Sequence, residues 1–460
     1  MQYSENKELQ VSALTKIYVW SVLFEPLLYF VIMPQNITGI GANISRLFQL
    51  IVIFLLIFKF LVTLKIRFPN PFSITNRFFS YYYFYMIVIG IIGYLTGSYS
   101  YSHENLLISN YDNFFSKLII GNTLFRPFFE YFIALYYFIY FVILAQYILI
   151  SKRAIDYFFK WFNVLFLICI FLGFFDLLLL VLFNPEYQGI GRHIADNQFP
   201  GNRFHGIAGE PRDAFIYLFL CLGIFSIRDI WTKQKRLNYF WIVLIFIAMY
   251  LSQSFSGILG LILAMAMLSI YFLPSLQLRK QAIAISLFFL FALLMLLNVK
   301  YSIRMTLYYD AFFSIYQTLN NGQIINSILS VAMNNIYPIW HLWTEVRELN
   351  FYHLFFGNGL GSSALINNFY YNEPGIINPN ASIVRMLYES GIIGIFLFIN
   401  AFIRPLIRLN VNYKIYNKLL LLMLIMLGLY FSHRSVAPYL FLGIAIVVFR
   451  YRFDDMNSKI

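Results

Sequence analysis

The sequence predicts an all-α polytopic membrane protein with about 12 transmembrane helices, forming a single transmembrane domain over residues 1–460. The first observation is composition, because 60% of the residues are hydrophobic and 12% are charged. Soluble domains carry about 25% charged residues, so this chain cannot cover a water-exposed surface with charge. The second observation is the recurrence of long apolar runs, and the third is the uneven placement of Lys and Arg between them. The composition excludes a soluble enzyme, a disordered protein and a nucleic-acid-binding domain.

The apolar runs define the predicted spans. A helix needs about 20 mostly apolar residues to cross a bilayer. The first run has no small-residue cleavage site, so it is predicted to be a span and not a cleavable signal peptide. The predicted limits are 12–33, 47–64, 81–97, 127–150, 161–183, 213–229, 238–251, 256–273, 282–298, 381–403, 417–432 and 436–449.

The basic residues predict how these spans are oriented. The chain has 33 Lys and Arg residues against 20 Asp and Glu residues, which gives a net charge of +13. With a cytoplasmic N-terminus, roughly two thirds of the basic residues fall in cytoplasmic segments, as the positive-inside rule requires. We therefore expect both termini to be cytoplasmic.

Two long external loops are predicted, at approximately 184–212 and 299–380. Long ordered loops often carry function. Arginine on the external side departs from the positive-inside rule, and its planar fork of donors suits phosphate oxygens. The first loop is rich in glycine and contains the candidates Arg192, Arg203, His205 and Arg212. The alternative interpretation is a loop with solvated charges.

The second loop contains a candidate acid–base pair. His341 and Glu345 are four residues apart in a segment with helical periodicity, so they would share one helix face. They could transfer protons or form a surface ion pair. The loop also contains Arg304, Arg347 and a GNGLGSS segment. That segment lacks the Lys-Ser/Thr ending of a nucleotide-binding loop, so it does not predict ATP binding.

Charged residues inside the predicted spans are a further signal. Arg385 and Glu389 are four residues apart in the tenth span, and we expect them to pair because unpaired charge in a bilayer is costly. Three more acids lie within or near spans, where each could couple transport or make a polar contact between helices: Glu25, Glu130 and Asp176. No pattern of His, Cys and carboxylate residues predicts a metal site.

Several segments together resemble the O-antigen ligase and polymerase superfamily. Arg203–Phe215 resembles the Arg-x-x-Gly…Glu-Pro signature of O-antigen and exopolysaccharide polymerases, and Ser252–Gly260 resembles their Ser-x-Ser turn. Phe355–Ser362 followed by Asn378–Phe396 is similar to the shared Gly-x-Gly…Asn…Glu-x-Gly-x-x-Gly segment. The order, the spacing and the predicted membrane side agree over about residues 185–400.

The resemblance implies a class C glycosyltransferase-like fold and a lipid-linked oligosaccharide polymerase. Such an enzyme joins repeat units carried on undecaprenyl diphosphate, at the periplasmic or outer face of the bacterial inner membrane. It implies no metal, nucleotide or other cofactor and no nucleic-acid partner. The implied partners are the lipid-linked oligosaccharide and membrane lipid, with a chain-length regulator protein as a further candidate. The product would be O-antigen of lipopolysaccharide or a similar surface polysaccharide.

Departures from the family pattern leave two alternatives open. Ligases of this superfamily carry a His immediately before the Asn that opens the last motif, whereas here Pro379 precedes Asn380. This favours a polymerase over an O-antigen ligase that transfers polymer to lipid A core. A lipid-linked oligosaccharide flippase or transporter is the rival from another class, because twelve spans with both termini inside are common among transporters.

The chemistry of glycosyl transfer suggests the residue roles. Negative charge grows on the diphosphate leaving group in the transition state, and arginines can stabilise it. A carboxylate or an imidazole can take the proton of the acceptor hydroxyl. The candidates for this base are, in order, Glu210, then His341 with Glu345, then His205. Binding of the diphosphate and sugars is assigned to Arg192, Arg203, His205, Arg212, Arg304, Arg347, Asn380, Arg385 and Arg434.

Overall fold

A computed structural model of the chain describes fourteen stretches of the sequence, and the fold is given for these. They are residues 11–25, 31–33, 42–63, 73, 76–96, 125–183, 204–206, 211–232, 239–252, 351–363, 382–409, 413–429, 432 and 435–457. Two predicted spans, 256–273 and 282–298, lie outside the described residues, as does the segment with helical periodicity that contains His341 and Glu345.

The N-terminal part of the described chain is mainly helical. Its helices are α1 (Ala13–Phe24), α2 (Ile44–Thr63), α3 (Arg77–Leu95), α4 (Phe125–Tyr137, a π-helical turn at Phe138–Ile143, then Leu144–Ile148) and α5 (Lys152–Phe183). A short antiparallel ribbon lies between α1 and α2. It consists of β1 (Val31–Met33) and β2 (Ala42–Asn43), with Val31 paired to Asn43 and Met33 to Ala42.

The C-terminal part adds six helices within the described residues. These are α6 (Pro211–Thr232), α7 (Tyr239–Ser252), α8 (Phe351–Phe356), α9 (Ser382–Ile407), α10 (Tyr413–Leu429) and α11 (Val436–Asn457). Helix α6 begins at Pro211, which suits a first helical position because proline has no backbone NH that would need a partner there.

The chain is an α-helical polytopic membrane protein. Six of the described helices are long and apolar enough to cross a membrane, and four shorter helices are also apolar. Each of the ten predicted spans in the described part of the chain overlaps a helix, but the first does so only at 13–24. Helix α2 shows the lipid-facing character most clearly, because large apolar side chains such as Leu50 and Phe54 remain about two-thirds exposed. Such a surface is stable in hydrocarbon and unfavourable in water.

The predicted first span, 12–33, is wrong in its second half. Helix α1 begins after Ser12, whose side chain accepts a hydrogen bond from the backbone NH of Thr15, and it ends at Phe24. Proline follows at position 26, and it has no backbone NH to continue the helical hydrogen bonds. The sequence remains apolar beyond this point, but helix α1 ends there.

Helix α11 occupies the centre of the described bundle, where it packs against α4, α6, α9 and α10. Gly443 of α11 lies against the Phe141 carbonyl in the π-helical turn of α4, so closely that a Cβ atom would collide with it. A π-helical turn widens a helix and redirects its carbonyls. The glycine therefore permits the closest helix approach in the centre of the bundle.

Side-chain contacts join helix ends at two opposite ends of the described bundle. At the end predicted to be cytoplasmic, Arg228 donates to Asn163 at 2.9 Å and Trp231 donates to Asp156 at 2.7 Å. At the opposite end, charged residues of α1, α2, α4 and α9 form buried clusters. The second end is where external chemistry was predicted, and it contains the candidate site.

Candidate functional site

The candidate site is organised by an interruption of α9 at Gly391. This residue has φ 64° and ψ −177°, so α9 consists of two helical pieces joined inside a predicted span. Such backbone angles are essentially restricted to glycine. A Cβ atom at Gly391 would collide with the backbone carbonyl of Phe355, so another segment approaches the break very closely.

The approaching segment is Gly357–Ser363, here called the glycine turn, which follows α8. Three of its glycines have positive φ angles, between 81° and 97°. Its backbone NH groups reach carbonyls next to the break: Asn358 N donates to Tyr388 O at 3.0 Å, and Gly359 N donates to Glu389 O at 2.8 Å. Buried carbonyls need hydrogen-bond partners, so the glycine turn stabilises the interrupted helix.

Tyr85 of α3 holds the same junction from a third side. Its hydroxyl lies 2.7 Å from the carbonyl oxygen of Phe356 and 3.0 Å from that of Ser390. The first carbonyl belongs to α8 and the second to the break in α9. A single tyrosine therefore links α8, the broken helix and α3.

A buried ionic group, here called the Arg385 cluster, lies beside this junction and consists of Arg385, Glu389, Glu130 and Ser363. Arg385 Nε donates to Glu389 Oε1 at 3.0 Å, which confirms the predicted pairing, and Arg385 Nη2 lies 3.3 Å from Glu130 Oε1. Ser363 Oγ donates to the same Glu389 Oε1 at 2.5 Å. All four side chains are buried. The cluster thus joins α4, α9 and the glycine turn.

The Arg385 cluster sets one guanidinium against two carboxylates. In the described part of the chain, Glu389 Oε2 and the Tyr82 hydroxyl are both buried with no hydrogen-bond partner. Tyr82 lies close enough to Glu389 and Arg385 to interact electrostatically. Buried polar oxygens without partners are unfavourable, and a hydroxyl group or a water molecule would satisfy them. The positive charge of Arg385, in contrast, is already offset within the protein.

A second buried cluster joins α1, α2 and α4 at the same end of the bundle. Arg46 Nη2 lies 2.7 Å from Glu25 Oε1, and Glu25 Oε2 accepts from Ser45 Oγ at 2.5 Å and from Gln49 Nε2 at 2.6 Å. The Glu25 side chain is 1% exposed and that of Arg46 is 36% exposed, so the guanidinium reaches the protein surface. Hydropathy and charge counting could not have predicted that Arg46 belongs to a buried cluster. They register that Arg46 is positively charged, but not that Glu25 is its ion-pair partner.

His205, a predicted site residue, lies in the short described stretch 204–206. Phe204 N donates to Leu251 O at 2.8 Å, which fixes this stretch to the end of α7. The Phe204 ring and Gly206 cover Gly173 of α5, where a Cβ atom would lie within 3.0 Å of both. His205 itself is buried, at 1% exposure. The structure therefore places the stretch that contains it between α5 and the end of α7.

The remaining predicted site residues lie outside the described residues, except for Arg212. These are Arg192, Arg203, Glu210, Arg304, His341, Glu345, Arg347, Asn380 and Arg434. Arg212 belongs to the first turn of α6, and its backbone alone is described. Within the described stretches, no group of three or more His, Cys, Asp or Glu side chains is placed to hold a metal ion.

No protein-family model, curated protein or solved structure matches this chain significantly. The functional interpretation therefore depends on the residues and their geometry.

Sequence reasoning found part of the Arg385 cluster and missed the rest. The i,i+4 spacing of Arg385 and Glu389 was a sufficient signal for their pairing. Glu130 was noted as an acid in a span, but nothing in the sequence connects it to a residue 255 positions later. Ser363 and Asn358 belonged to a segment recognised for its glycines, and their polar side chains carried no separate signal.

Proposed function

We propose that this protein is a membrane glycosyltransferase that polymerises undecaprenyl-diphosphate-linked oligosaccharide repeat units into O-antigen or a similar surface polysaccharide. The observation that carries the proposal is the junction of the glycine turn with α9. These two segments carry much of the family resemblance, and they are bound to each other and to Glu130 around Arg385. Two motifs that serve one site are expected to meet in this way.

The proposed reaction is a direct displacement. The acceptor hydroxyl oxygen attacks the anomeric carbon of the donor, the bond from that carbon to the diphosphate oxygen breaks, and undecaprenyl diphosphate leaves. The hydroxyl proton passes to a base, for which Glu210 and then His341 with Glu345 are the candidates. External arginines offset the charge that develops on the diphosphate. The displacement inverts the anomeric centre.

Arg385 is assigned a positioning role in this reaction. It is 4% exposed and already bound to two carboxylates, so a diphosphate would have to displace them to reach it. Arg347 is the better candidate for the diphosphate, because it precedes α8 by four residues and α8 leads directly into the glycine turn. Arg203 is the corresponding candidate for the diphosphate in the first loop, because it precedes the buried His205 by two residues.

The decisive experiment is reconstitution. Purified protein in detergent receives synthetic undecaprenyl-diphosphate repeat units in excess EDTA and without nucleotide, and the products are separated by gel electrophoresis. We expect a ladder of polymer lengths. Arg347→Ala should lose about 10²-fold or more of the rate, the scale for removing one charge-stabilising donor, and Arg347→Lys should recover part of it.

A matched control is Arg450→Ala, which removes an exposed arginine at the predicted cytoplasmic end of α11. It should polymerise like the unaltered protein. A strict requirement for a divalent ion, or full activity in Arg347→Ala, would overturn the arginine-based mechanism. Absence of any polymer from folded protein would overturn the proposed activity.

A flippase or transporter is a second candidate, and the interrupted helix α9 is the observation that favours it. Interrupted helices often form the substrate sites of transporters. Here, however, the Tyr388 and Glu389 carbonyls at the break accept hydrogen bonds from the glycine turn, so they are committed within the protein. Proteoliposomes separate the two functions, because a transporter moves labelled lipid-linked oligosaccharide across the bilayer without lengthening it.

An O-antigen ligase is the alternative within the same enzyme class. Deletion of the gene and gel analysis of the surface polysaccharide distinguish it from a polymerase. Loss of a polymerase leaves single repeat units on the lipid A core, whereas loss of a ligase leaves polymer that is not joined to the core. The residue at Pro379, where ligases carry His, supports the first outcome.

The finer topology is part of the proposal. We place the chain in the bacterial inner membrane with twelve spans and both termini in the cytoplasm. The contacts between Arg228 and Asn163 and between Trp231 and Asp156 support one part of it, because they place the start of α5 and the end of α6 on the same side. The two spans between residues 253 and 350 are the ones the proposal adds to the described helices.

A further inference from the structure

Three arginine side chains converge on one aromatic ring at the end of α3 and α9 that lies away from the Arg385 cluster. The guanidinium carbon of Arg77 lies 5.3 Å from the centre of the Phe78 ring, and those of Arg404 and Arg408 each lie 5.8 Å from it. Any two of these cations are therefore less than about 12 Å apart, close to the screening length of salt at physiological strength. The group is called the Phe78 cluster below.

The helices hold the Phe78 cluster in place. Arg404 and Arg408 are four residues apart, and Arg408 N donates to Arg404 O at 3.3 Å, so they lie one above the other on the same helical face. Arg404 Nε also donates to Asn400 Oδ1 at 3.2 Å. Arg77 is the first residue of α3, which packs along α9. The cations are thus brought together by two packed helices and not by a flexible tail.

The surroundings of the Phe78 cluster favour an anion. Helix α3 has no acidic residue in its first turn. The helix dipole therefore adds positive potential at the same place. In the described chain, Arg77 Nε is buried and has no hydrogen-bond partner. Partial loss of water lowers the pKa of Arg408, and the nearby positive charges of Arg77 and Arg404 lower it further.

The geometry points to a site for a phosphate oxyanion, which we propose is the phosphodiester headgroup of an anionic phospholipid. Guanidinium groups bind phosphate through paired hydrogen bonds, and basic pockets between helices on the cytoplasmic side hold such headgroups. The lipid source is favoured over free phosphate by the adjoining surface. Next to the cluster, α3 exposes Tyr81 at 50% and Phe84 at 69%, an apolar surface along which acyl chains would lie. This inference is independent of the proposed activity.

The test uses the full-length protein in neutral detergent micelles containing phosphatidylcholine. Phosphatidylglycerol, additional phosphatidylcholine or inorganic phosphate is titrated, and binding is followed by the thermal unfolding midpoint and by native mass spectrometry. Phosphatidylglycerol should raise the midpoint and remain bound, whereas phosphatidylcholine should not. In the double variant Arg404→Gln, Arg408→Gln, the apparent affinity for phosphatidylglycerol should fall about tenfold or more, as expected on losing charge-assisted bonds.

The matched control removes two exposed cations at the same predicted face but outside the Phe78 cluster, by Lys152→Gln with Lys160→Gln. It should bind phosphatidylglycerol like the unaltered protein. The variant Arg404→Lys, Arg408→Lys keeps the charge and should bind with intermediate affinity, because lysine lacks the planar fork.

Three outcomes decide the matter. Stabilisation by phosphatidylglycerol that the arginine variant loses and the lysine control keeps supports the lipid site. An equal effect of inorganic phosphate, with competition between the two, supports the oxyanion site and assigns it to a small phosphate compound. Equal responses to phosphatidylglycerol and phosphatidylcholine overturn the proposal. Equal losses of phosphatidylglycerol affinity in the Arg404→Gln, Arg408→Gln variant and in the Lys152→Gln, Lys160→Gln control also overturn it.

Discussion

Replacing Arg385 by methionine removes the cation that lies between two buried carboxylates. Arg385 Nε is 3.0 Å from Glu389 Oε1, and Arg385 Nη2 is 3.3 Å from Glu130 Oε1. Both glutamates are fully buried, so water cannot replace the guanidinium without opening the helix junction. Removing one partner of a buried ion pair destabilises a protein by about 3–5 kcal/mol. We expect a loss in the upper part of this range, because two carboxylates lose their partner at once.

The free energy of unfolding of purified Arg385→Met is measured by denaturant titration in detergent micelles, followed by tryptophan fluorescence. The control is Arg450→Met, which makes the same change at an exposed position of α11. Substitution there should alter the free energy of unfolding by no more than about 0.5 kcal/mol. The difference in the free energy of unfolding between the two variants reports the effect of burial and ion pairing, because both variants lose an arginine.

A rescue experiment tests whether uncompensated charge is the cause. Adding Glu130→Gln and Glu389→Gln to Arg385→Met neutralises both carboxylates and keeps their shapes. Replacing a whole buried ionic group by neutral side chains is often close to neutral in stability, so most of the lost free energy should return. The reasoning fails if Arg385→Met unfolds like the Arg450→Met control, or if the added Gln substitutions restore nothing.

Three further predictions concern the break, the topology and the base. Gly391→Ala should destabilise the protein by at least about 1–2 kcal/mol, because of the positive φ of Gly391 and the collision described above. The control is Gly90→Ala, at a helical glycine with open space around its Cβ position, which should be neutral or slightly stabilising in the same titration. In whole cells, an impermeant thiol reagent should label Ala195→Cys and leave Lys233→Cys unlabelled, and the reverse pattern would invert the topology. Glu210→Gln should bind the lipid-linked donor normally and turn over about 10²-fold more slowly, and near-normal turnover would exclude it as the base.

Helix positions could be predicted from the sequence because the bilayer imposes a length on apolar runs. Nine of the ten predicted spans in the described part of the chain match a helix along most of their length, and the exposed faces of helices such as α2 are apolar, as lipid requires. Hydropathy was misleading where apolar character continues past a backbone signal. The run at 12–33 remains apolar after Glu25, but the proline at position 26 ends the helix, and Val31–Met33 pairs as a strand.

The interruption at Gly391 shows why a site is harder to predict than a span. The residues Glu389 to Gly394 read as ordinary span sequence, and a glycine within a helix is compatible with continuous helix. The break becomes evident when the glycine turn is placed against it and supplies donors to the freed carbonyls. Such contacts between distant segments depend on the fold, and the local pattern of either segment does not contain them.

The ionic cluster and the hydrogen bonds of the glycine turn can be separated by one last variant. A buried ionic group is weak evidence for stability, so Arg385, Glu130 and Glu389 are better explained by the geometry they impose. The triple variant Arg385→Met, Glu130→Gln, Glu389→Leu leaves no charge in the cluster, so it should fold. It also removes the carboxylate that accepts from Ser363 at 2.5 Å.

Loss of that charge-assisted bond removes about 1.5–3 kcal/mol from the anchoring of the glycine turn. The amide of Gly359, which donates to the Glu389 carbonyl at 2.8 Å, should then exchange its hydrogen roughly tenfold faster or more. Replacement of Glu389 by Gln in the same background keeps an acceptor for Ser363 and should preserve slow exchange. Equal exchange rates in the Leu and Gln variants would mean that the glycine turn is held by its backbone bonds alone, and the bond from Ser363 to Glu389 would lose its anchoring role.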